Sequence, residues 1–300
     1  MRVTVGADEI DGWCLRRLGA GIETVLFTEG HLSHVAGVRL RDGREVVVKV
    51  RPSHPRLAGC TAVQRALWRV GYPCPEPLAG PLPLAGYAAN AEVLVPAGEI
   101  LPIDDGAVEC YADLLARLIR SAPPAAVIPN PPWVAWDHRD GGIWPVPDDR
   151  DVDLNAYPES AWLDEIGLRV QRRLAAMPPV PPVVGHGDWE AQNLRFHGRQ
   201  PWVVHDWDSV ISAPEAVVVG LAASVWTCGA EPRAASVEES QAFIDAYQHA
   251  AGRRWSSAET EASWAAGLWV YAFNAKKAIL DGSAWLSEAE AVARLKRASA

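Results

Sequence analysis

The segment from residue 183 to residue 210 limits the folds open to this chain more than any other segment. Two apolar runs, Val183–Phe196 and Trp202–Val210, predict a strand–loop–strand pair with polar residues at fixed spacing. The sequence GHGDWEAQN occupies residues 185–193, and Asp206 follows Asn193 by thirteen residues. Polar side chains between buried strands need a metal ion or a hydrogen-bond network. We therefore expect a functional site on this strand pair.

The residue types in this segment suit a divalent cation and a hydroxyl group. Mg²⁺ prefers oxygen ligands, and Asn193 and Asp206 offer a neutral and a charged oxygen. Asp188 lies five residues before Asn193, across a tight loop, where it can orient a hydroxyl group and accept its proton. Lys49 ends a Val-rich run and would place positive charge near phosphate groups. The combination is typical of phosphoryl transfer, with Asp188 as the catalytic residue.

The first hundred residues are rich in strand patterns. The expected strands are Gly21–Thr28, His34–Leu40, Glu45–Arg51, Pro77–Leu84 and Ala91–Val95. A helical periodicity covers Leu57–Val70, and after residue 98 the patterns are mainly helical, with a long loop at Pro123–Arg150. We therefore predict an α+β protein with a β-rich N-terminal lobe at residues 1–96. A larger, mainly helical C-terminal lobe is expected at residues 97–300.

The polar loop resembles the signature of a known enzyme family. His186-Gly187-Asp188 with Asn193, followed by Asp206-Trp207, is similar to the HGD…N motif and the metal-strand motif of the aminoglycoside phosphotransferase and choline kinase family. The segment GYPCP at residues 71–75 also resembles a family segment. Membership implies a bilobal protein kinase-like fold and a Mg²⁺-dependent kinase that binds ATP or GTP near a hinge at Leu94–Gly98. It further implies transfer of the γ-phosphoryl group to a hydroxyl of an aminoglycoside, an amino sugar or another small acceptor.

Three departures from the family pattern are visible. Residues 51–75 contain no acidic residue, so the helix glutamate that partners the strand lysine of protein kinases is absent, and Cys60 or Gln64 lies near its expected place. The phosphate-covering segment has one glycine, Gly30, so we expect backbone amides and Ser33 to bind phosphate. Residues 214–217, PEAV, lack the aspartate that often follows the metal strand. These departures bear on nucleotide affinity rather than on the chemistry.

Charge and composition bear on the acceptor and the compartment. The net charge of −9 argues against nucleic-acid binding and favours a cationic or sugar-like acceptor. Glu190 and Asp208 are the candidate acceptor-binding residues, and the long loop adds a candidate aromatic wall (Trp133, Trp136, Trp144) and an acidic cluster at residues 148–153. No signal-peptide pattern, no membrane-spanning run and five scattered cysteines predict a cytoplasmic protein, either a monomer or a homodimer. Antibiotic resistance and ordinary metabolism both stay open as its role.

Two other functions fit parts of the sequence. The absent helix glutamate and the sparse glycine loop are also typical of a non-catalytic relative that binds nucleotide without transferring phosphate. His186, Asp188 and the pair His205-Asp206 resemble the ligands of a metal-dependent phosphohydrolase. Such hydrolases usually carry the His-Asp pair on a helix, whereas here it follows a strand-like run, and Asn193 would have no role. We therefore favour the kinase and expect His186 to be structural.

Overall fold

A computed structural model describes residues 3–30, 32–124, 131, 134, 136, 138, 141–147, 149–157, 160–229, 233–282 and 285–299. Strands in these ranges are β1 (Ile22–Gly30), β2 (His34–Leu40), β3 (Glu45–Arg51), β4 (Pro77–Leu84), β5 (Tyr87–Val93), β6 (Val183–His186), β7 (Leu194–His197), β8 (Gln200–Val204) and β9 (Val210–Ala213). Helices are α1 (Ala7–Leu18), α2 (Arg56–Arg69), α3 (Ala107–Ser121), α4 (Ala161–Ala175), α5 (Glu215–Val225), α6 (Val237–Ala251), α7 (Ser257–Leu280) and α8 (Glu288–Ala298). The α+β fold with a β-rich N-terminal part and a helical C-terminal part is confirmed.

The N-terminal strands form one antiparallel sheet in the order β1-β2-β3-β5-β4. Successive side chains of a strand point to opposite faces of the sheet, so β3 presents two different sets of residues. Val46, Val48 and Val50 are fully buried in a cluster with α1, whereas Lys49 and Arg51 lie on the other face, toward the C-terminal lobe. The alternation of β3 therefore separates the core of the sheet from the functional site.

Helix α1 was not predicted, because the first hundred residues were interpreted through their strand patterns. It begins after Gly6 and ends at Gly19, which adopts a left-handed conformation with φ of 81°. Its buried residues, Ile10, Trp13 and Cys14, have helical spacing and cover the apolar face of the sheet. The prediction of strands alone was thus incomplete at this position.

Helix α2 belongs to the larger of the two cores rather than to the sheet's own core. Cys60, Val63 and Leu67 are buried in the cluster that contains most of the C-terminal helices. The segment after α2 continues this contact, because Pro73 accepts a hydrogen bond from the backbone N–H of Val204 in β8 at 2.8 Å. With α2 placed between the two parts, we propose residues 1–96 and 97–300 as the two lobes, joined at residues 94–98.

Two short strand pairs in the C-terminal lobe carry the polar segment. β6 pairs with β9, and β7 pairs with β8, both in antiparallel register. Behind them α5 is buried along its whole length and packs against α7. Glu215, which begins α5, accepts hydrogen bonds from Tyr247 and Arg253 at 2.9 Å each and so ties α5 to α6 and the turn that follows α6. Among the described helices, none is both long and apolar enough to cross a bilayer.

Candidate active site

The loop between β6 and β7 is anchored to the C-terminal lobe by aromatic side chains. Trp189 is buried, and its Nε1 donates a hydrogen bond to the carbonyl oxygen of Tyr111 in α3 at 3.2 Å. His186, at the end of β6, lies against the rings of Trp189 and Trp207, with centroid separations of 5.8 and 5.7 Å. These contacts fix the backbone on both sides of Asp188.

His186 is neutral and holds the loop to β8. Its Nε2 lies 3.1 Å from the carbonyl oxygen of His205, and its Nδ1 accepts the backbone N–H of Asp188 at 3.3 Å. A ring that donates from one nitrogen and accepts at the other carries no charge, and burial lowers the pKa of His186 accordingly. In the described part of the chain no three His, Cys, Asp or Glu side chains are grouped as metal ligands. Because both ring nitrogens of His186 are used in hydrogen bonds, His186 does not offer the metal ligand that the dinuclear hydrolase alternative assigned to it.

Asp188 and Asn193 are joined directly. The side-chain Nδ2 of Asn193 donates to the Oδ2 of Asp188 at 2.8 Å and to its backbone carbonyl at 3.0 Å. Both amide hydrogens are thus used within the loop, and the amide oxygen accepts no hydrogen bond from the described residues. That oxygen is the atom through which Asn193 can ligate a cation.

Pairing of β7 with β8 brings Asp206 beside Asn193. Leu194 is opposite Val204, and the backbone N–H of His205 donates to the carbonyl oxygen of Asn193 at 2.8 Å. Asp206 then adopts a left-handed conformation with φ of 61°, which is uncommon for a residue with a side chain. The thirteen-residue spacing noted in the sequence is therefore the length of this hairpin.

Lys49 reaches the same place from the N-terminal sheet. Its Nζ lies 3.9 Å from the Oδ1 of Asp206 and 3.3 Å from the Oε1 of Glu92 in β5. Glu92 in turn accepts a hydrogen bond from the Nε2 of Gln64 in α2 at 2.8 Å. Glu92 was missed by the sequence analysis, although a single carboxylate in the apolar run Tyr87–Val93 was a signal for it. Lys49 thus has a carboxylate partner without any acidic residue in α2.

The two residues expected near the phosphates lie at the first hairpin. Gly30 ends β1 opposite His34, and a Cβ on Gly30 would lie 3.3 Å from the carbonyl oxygen of Ser33. Ser33 lines the large cavity that also contains Asp188 and Asp206. The structure thus places Ser33 at the site, with Gly30 behind it at the end of the strand. Residue 31 lies outside the described residues.

Asp208 faces the N-terminal lobe rather than open solvent. Its carboxylate forms an ion pair with Arg51 of β3, whose side chain is 8% exposed, and its carbonyl oxygen accepts the Sγ–H of Cys60 at 3.7 Å. Arg51 was not predicted as a site residue, although it lies two positions after Lys49 and therefore on the same face of β3. The contacts of Asp208 make it a link between the lobes.

A cavity of about 510 Å³ opens beside the loop, which is within the size range of small-molecule sites. Asp188, Glu190 and Asp206 contribute carboxylates to its lining. Glu190 accepts a hydrogen bond from Gln192 and lies at the cavity wall. Helices α5 and α7 contribute Val225, Val270, Phe273, Asn274 and Lys277 to the same lining.

The long loop contributes less to this cavity than its composition suggested. Trp144 is 1% exposed and packs against Trp269 at 5.0 Å between centroids, so it belongs to the core. Trp136 is partly buried against the same core, and Trp133 lies outside the described residues. Of the acidic cluster, Asp149 reaches the cavity and is paired with Lys277 at 2.8 Å. Asp148 also lies outside the described residues.

The three carboxylates of the cavity that belong to the polar segment, Asp188, Glu190 and Asp206, differ in their pKa values. Burial raises the pKa of Asp188, and the charges of Glu190 and Asp206 raise it further. Burial also raises the pKa of Glu190. For Asp206 burial acts in the same direction, but the charges of Lys49 and Arg51 outweigh it and lower its pKa. Asp206 is therefore ionised, whereas Asp188 and Glu190 form an interacting pair that keeps a proton to higher pH than ordinary carboxyl groups do.

The donor atoms at this point suit a divalent cation. The Asn193 amide oxygen and the Asp206 carboxylate are oxygen ligands of the kind that Mg²⁺ takes, and two protein ligands leave positions for phosphate and water oxygens. The ionised state of Asp206 fits this role. The residues present thus fit a divalent cation.

Comparison with known proteins agrees with this geometry. The model of the APH family, described as the phosphotransferase enzyme family, matches residues 24–259. No curated protein matches the chain.

Several solved structures share the fold at low sequence identity. An amicoumacin kinase in complex with AMP-PNP, Ca²⁺ and Ami has 12% identity and a TM-score of 0.62, over 96% of this chain and 92% of that one. A spectinomycin phosphotransferase in complex with ADP and spectinomycin has 13% identity and a TM-score of 0.59, over 99% and 94%. A choline/ethanolamine kinase family protein from Mesorhizobium loti has 16% identity and a TM-score of 0.59, over 97% and 93%.

Proposed function

The chain belongs to the phosphotransferase enzyme family, and on that premise we propose that it transfers the γ-phosphoryl group of ATP or GTP to a hydroxyl group of a small molecule. The observation that carries the proposal is that Asp188 and Asp206 line one cavity, with Asn193 bonded to Asp188 and Lys49 paired with Asp206. These are the parts that phosphoryl transfer needs: a group for the hydroxyl proton, oxygen ligands for a cation and a charge for the phosphates.

Asp188 orients the acceptor hydroxyl and accepts its proton. The hydroxyl oxygen forms a bond to the γ-phosphorus, the bond from that phosphorus to the bridging oxygen breaks, and the nucleoside diphosphate leaves. The raised pKa of Asp188 makes it a stronger base than an ordinary aspartate once it is ionised. Asn193 keeps the carboxylate in position through its Nδ2 hydrogen bond.

The phosphates would be bound from both lobes. Lys49 and Ser33 approach from the N-terminal sheet, and backbone amides near Gly30 would add hydrogen bonds. Asn193 and Asp206 would hold Mg²⁺, which when bound neutralises charge on the β- and γ-phosphates. The nucleoside would lie toward residues 94–98, between the lobes.

The acceptor would occupy the part of the cavity lined by α5, α7 and Glu190. The apolar wall of Val225, Val270 and Phe273 suits a ring, and the carboxylate of Glu190 suits an amino group or a hydroxyl group. We therefore propose an amino-sugar-like or other ring-bearing acceptor; an amicoumacin kinase and a spectinomycin phosphotransferase are among the proteins that share the fold. We further propose that the enzyme is cytoplasmic and is a monomer or a homodimer. Its role would lie in antibiotic resistance or in metabolism.

The test is an acceptor screen that follows ADP or GDP release with Mg²⁺ and either nucleotide. We expect turnover with aminated or sugar-like acceptors and poor turnover with neutral aliphatic alcohols. Asp188→Asn should abolish transfer while a nucleotide still raises the melting temperature. The control Asp42→Asn changes an exposed carboxylate in a turn and keeps an Asn-Gly sequence suited to that turn. Normal turnover by Asp188→Asn would refute the proposed role.

A further inference from the structure

Lys49 has a counterion on the sheet instead of on a helix. In protein kinases a glutamate of the first helix pairs with the strand lysine that binds the phosphates. Here residues 51–75 contain no acidic side chain. Glu92 of β5 stands in its place, with its Oε1 3.3 Å from the Nζ of Lys49 and only 3% of its side chain exposed.

The register of the sheet explains why Glu92 reaches Lys49. Lys49 is directly opposite Asn90, and Glu92 is opposite Val47. Residues paired in this way lie on one face, and the diagonal neighbour two positions away is within reach of long side chains. Glu92 and Lys49 are such diagonal neighbours on the face toward the C-terminal lobe. The contact is thus determined by strands that are hydrogen-bonded to each other.

Gln64 supports Glu92 from the helix. Its Nε2 donates to the Oε2 of Glu92 at 2.8 Å and to the carbonyl oxygen of Pro75 at 3.0 Å, and the residue is 2% exposed. An amide donor here satisfies the second oxygen of a buried carboxylate, whereas a second carboxylate would repel it. The helix thus contributes the hydrogen bond, and the strand contributes the charge.

We propose that Glu92 is the positioning residue for Lys49, and that Gln64 holds Glu92 in place for that role. The inference rests on the proposed function, because it takes Lys49 as the residue that binds the nucleotide phosphates. It differs from a structural role, in which Glu92 would merely compensate the charge of a buried lysine. With the pair built into β3 and β5, the alignment of Lys49 does not depend on a carboxylate from α2.

The first experiment is Glu92→Gln, assayed for steady-state kinetics and for Mg²⁺–ADP binding by calorimetry. We expect KM for the nucleotide to rise about tenfold or more, the scale for residues that act through a ligand-binding partner. KM for the acceptor should stay within roughly twofold, because Glu92 is not among the residues that line the cavity proposed for the acceptor. A folded Glu92→Gln protein with wild-type nucleotide affinity would overturn the proposal.

A double variant separates the charge from the packing. Gln64→Glu with Glu92→Gln keeps one carboxylate and one amide in the same contact and moves the charge to the helix. We expect it to recover most of the nucleotide affinity, and Gln64→Glu alone to lose affinity because two carboxylates meet. If Glu92→Gln does not fold, the nucleotide affinity of the double variant is the deciding measurement. A folded double variant that does not regain most of the wild-type nucleotide affinity contradicts the proposal.

The matched control is Glu290→Gln in α8. It removes the ion-pair partner of Arg294, which lies 2.8 Å away; Arg294 is a 1% exposed cation that is not among the residues lining the cavity. We expect a lower melting temperature with unchanged KM for nucleotide. The wild-type protein separates the two proposals: no transfer to any acceptor would refute the proposed function. If the wild-type protein transfers phosphate normally and Glu92→Gln leaves the KM for nucleotide unchanged, only the role of Glu92 is refuted.

Discussion

At the scale of single residues, the site depends on two aspartates whose pKa values the fold shifts in opposite directions. Asp188 lies among buried and acidic groups, which raise its pKa, whereas Asp206 faces Lys49 and Arg51, which lower its pKa against the effect of burial. Neighbouring carboxylates with separated pKa values can take different tasks. Asp206 is suited to bind a cation, and Asp188 is suited to exchange a proton.

This separation predicts the pH dependence of a variant. Glu190→Gln removes a negative charge that raises the pKa of Asp188, so that pKa falls and Asp188 ionises at lower pH. The acid limb of kcat/KM should therefore move to lower pH, as measured in a pH–rate profile from pH 4 to pH 8. Asp245→Asn, on the exposed side of α6, should leave the limb in place. A limb that does not move with Glu190→Gln would contradict Asp188 as the group that titrates.

A second residue-scale prediction concerns the ion pair between the lobes. Asp208→Asn removes the carboxylate that is paired with the buried Arg51 guanidinium, while the charge of Asp206 stays near it. The free energy of unfolding should fall by about 1–3 kcal/mol, less than the loss of a fully buried pair, because 29% of the Asp208 side chain is exposed. Urea denaturation measures this change, and Asp42→Asn, whose ion pair is exposed, should leave the midpoint unchanged. Equal midpoints for both variants would show that the pair does not stabilise the fold.

At the scale of secondary-structure elements, local patterns were predictable and long-range contacts were not. The apolar alternation of β2 and β3, with Asp42-Gly43 between them, is typical of a hairpin. The spacing of Asn193 and Asp206 likewise indicated the polar loop and the hairpin that follows it. Glu92 could not be assigned from sequence, because its role depends on which strand pairs with β3. The position of α2 in the larger core likewise depends on tertiary packing.

One element-scale prediction follows from the packing of β6. A Cβ on Gly185 would overlap the side chain of Val218 in α5, so β6 lies as close to that helix as a glycine permits. Gly185→Ala should destabilise the protein by about 1–3 kcal/mol through overpacking. It should also lower kcat, because β6 leads directly into the loop that carries Asp188. Thermal and urea unfolding together with turnover test this. Gly141→Ala, at a position with open space around it, is the control and should change neither quantity.

At the scale of the whole molecule, the site is complete only where the two lobes meet. The motif in the C-terminal lobe was recognisable from one stretch of sequence. The residues that it meets from the sheet, Lys49, Arg51 and Glu92, come together through the fold. Of the two uses open to the tryptophans of the long loop, core packing and an aromatic wall for a ligand, Trp144 takes core packing. Single-sequence patterns do not distinguish these two uses.

The meeting of the lobes also predicts how stability depends on pH. His186 and His205 lie at this junction, and burial lowers the pKa of both, for His205 from 6.5 to about 4. At these histidines the unfolded chain therefore takes up protons that the native protein does not as pH falls below about 6.5, and the contribution of His205 to the free energy of unfolding falls down to about pH 4. For His205 alone the loss across this window is about 3 kcal/mol.

Asp188 changes the stability in the opposite sense, because its raised pKa makes the native state bind a proton at higher pH than the unfolded chain does. A variant is therefore needed to isolate the contribution of the histidine. His205→Gln cannot take up the proton. Its free energy of unfolding, from urea titrations at pH 7.5, 6.0 and 5.0, should decline less steeply with acid than that of the wild type. His249→Gln, on the exposed side of α6, should keep the wild-type slope. Parallel slopes for His205→Gln and the wild type would mean that the imidazole is not held neutral between the lobes.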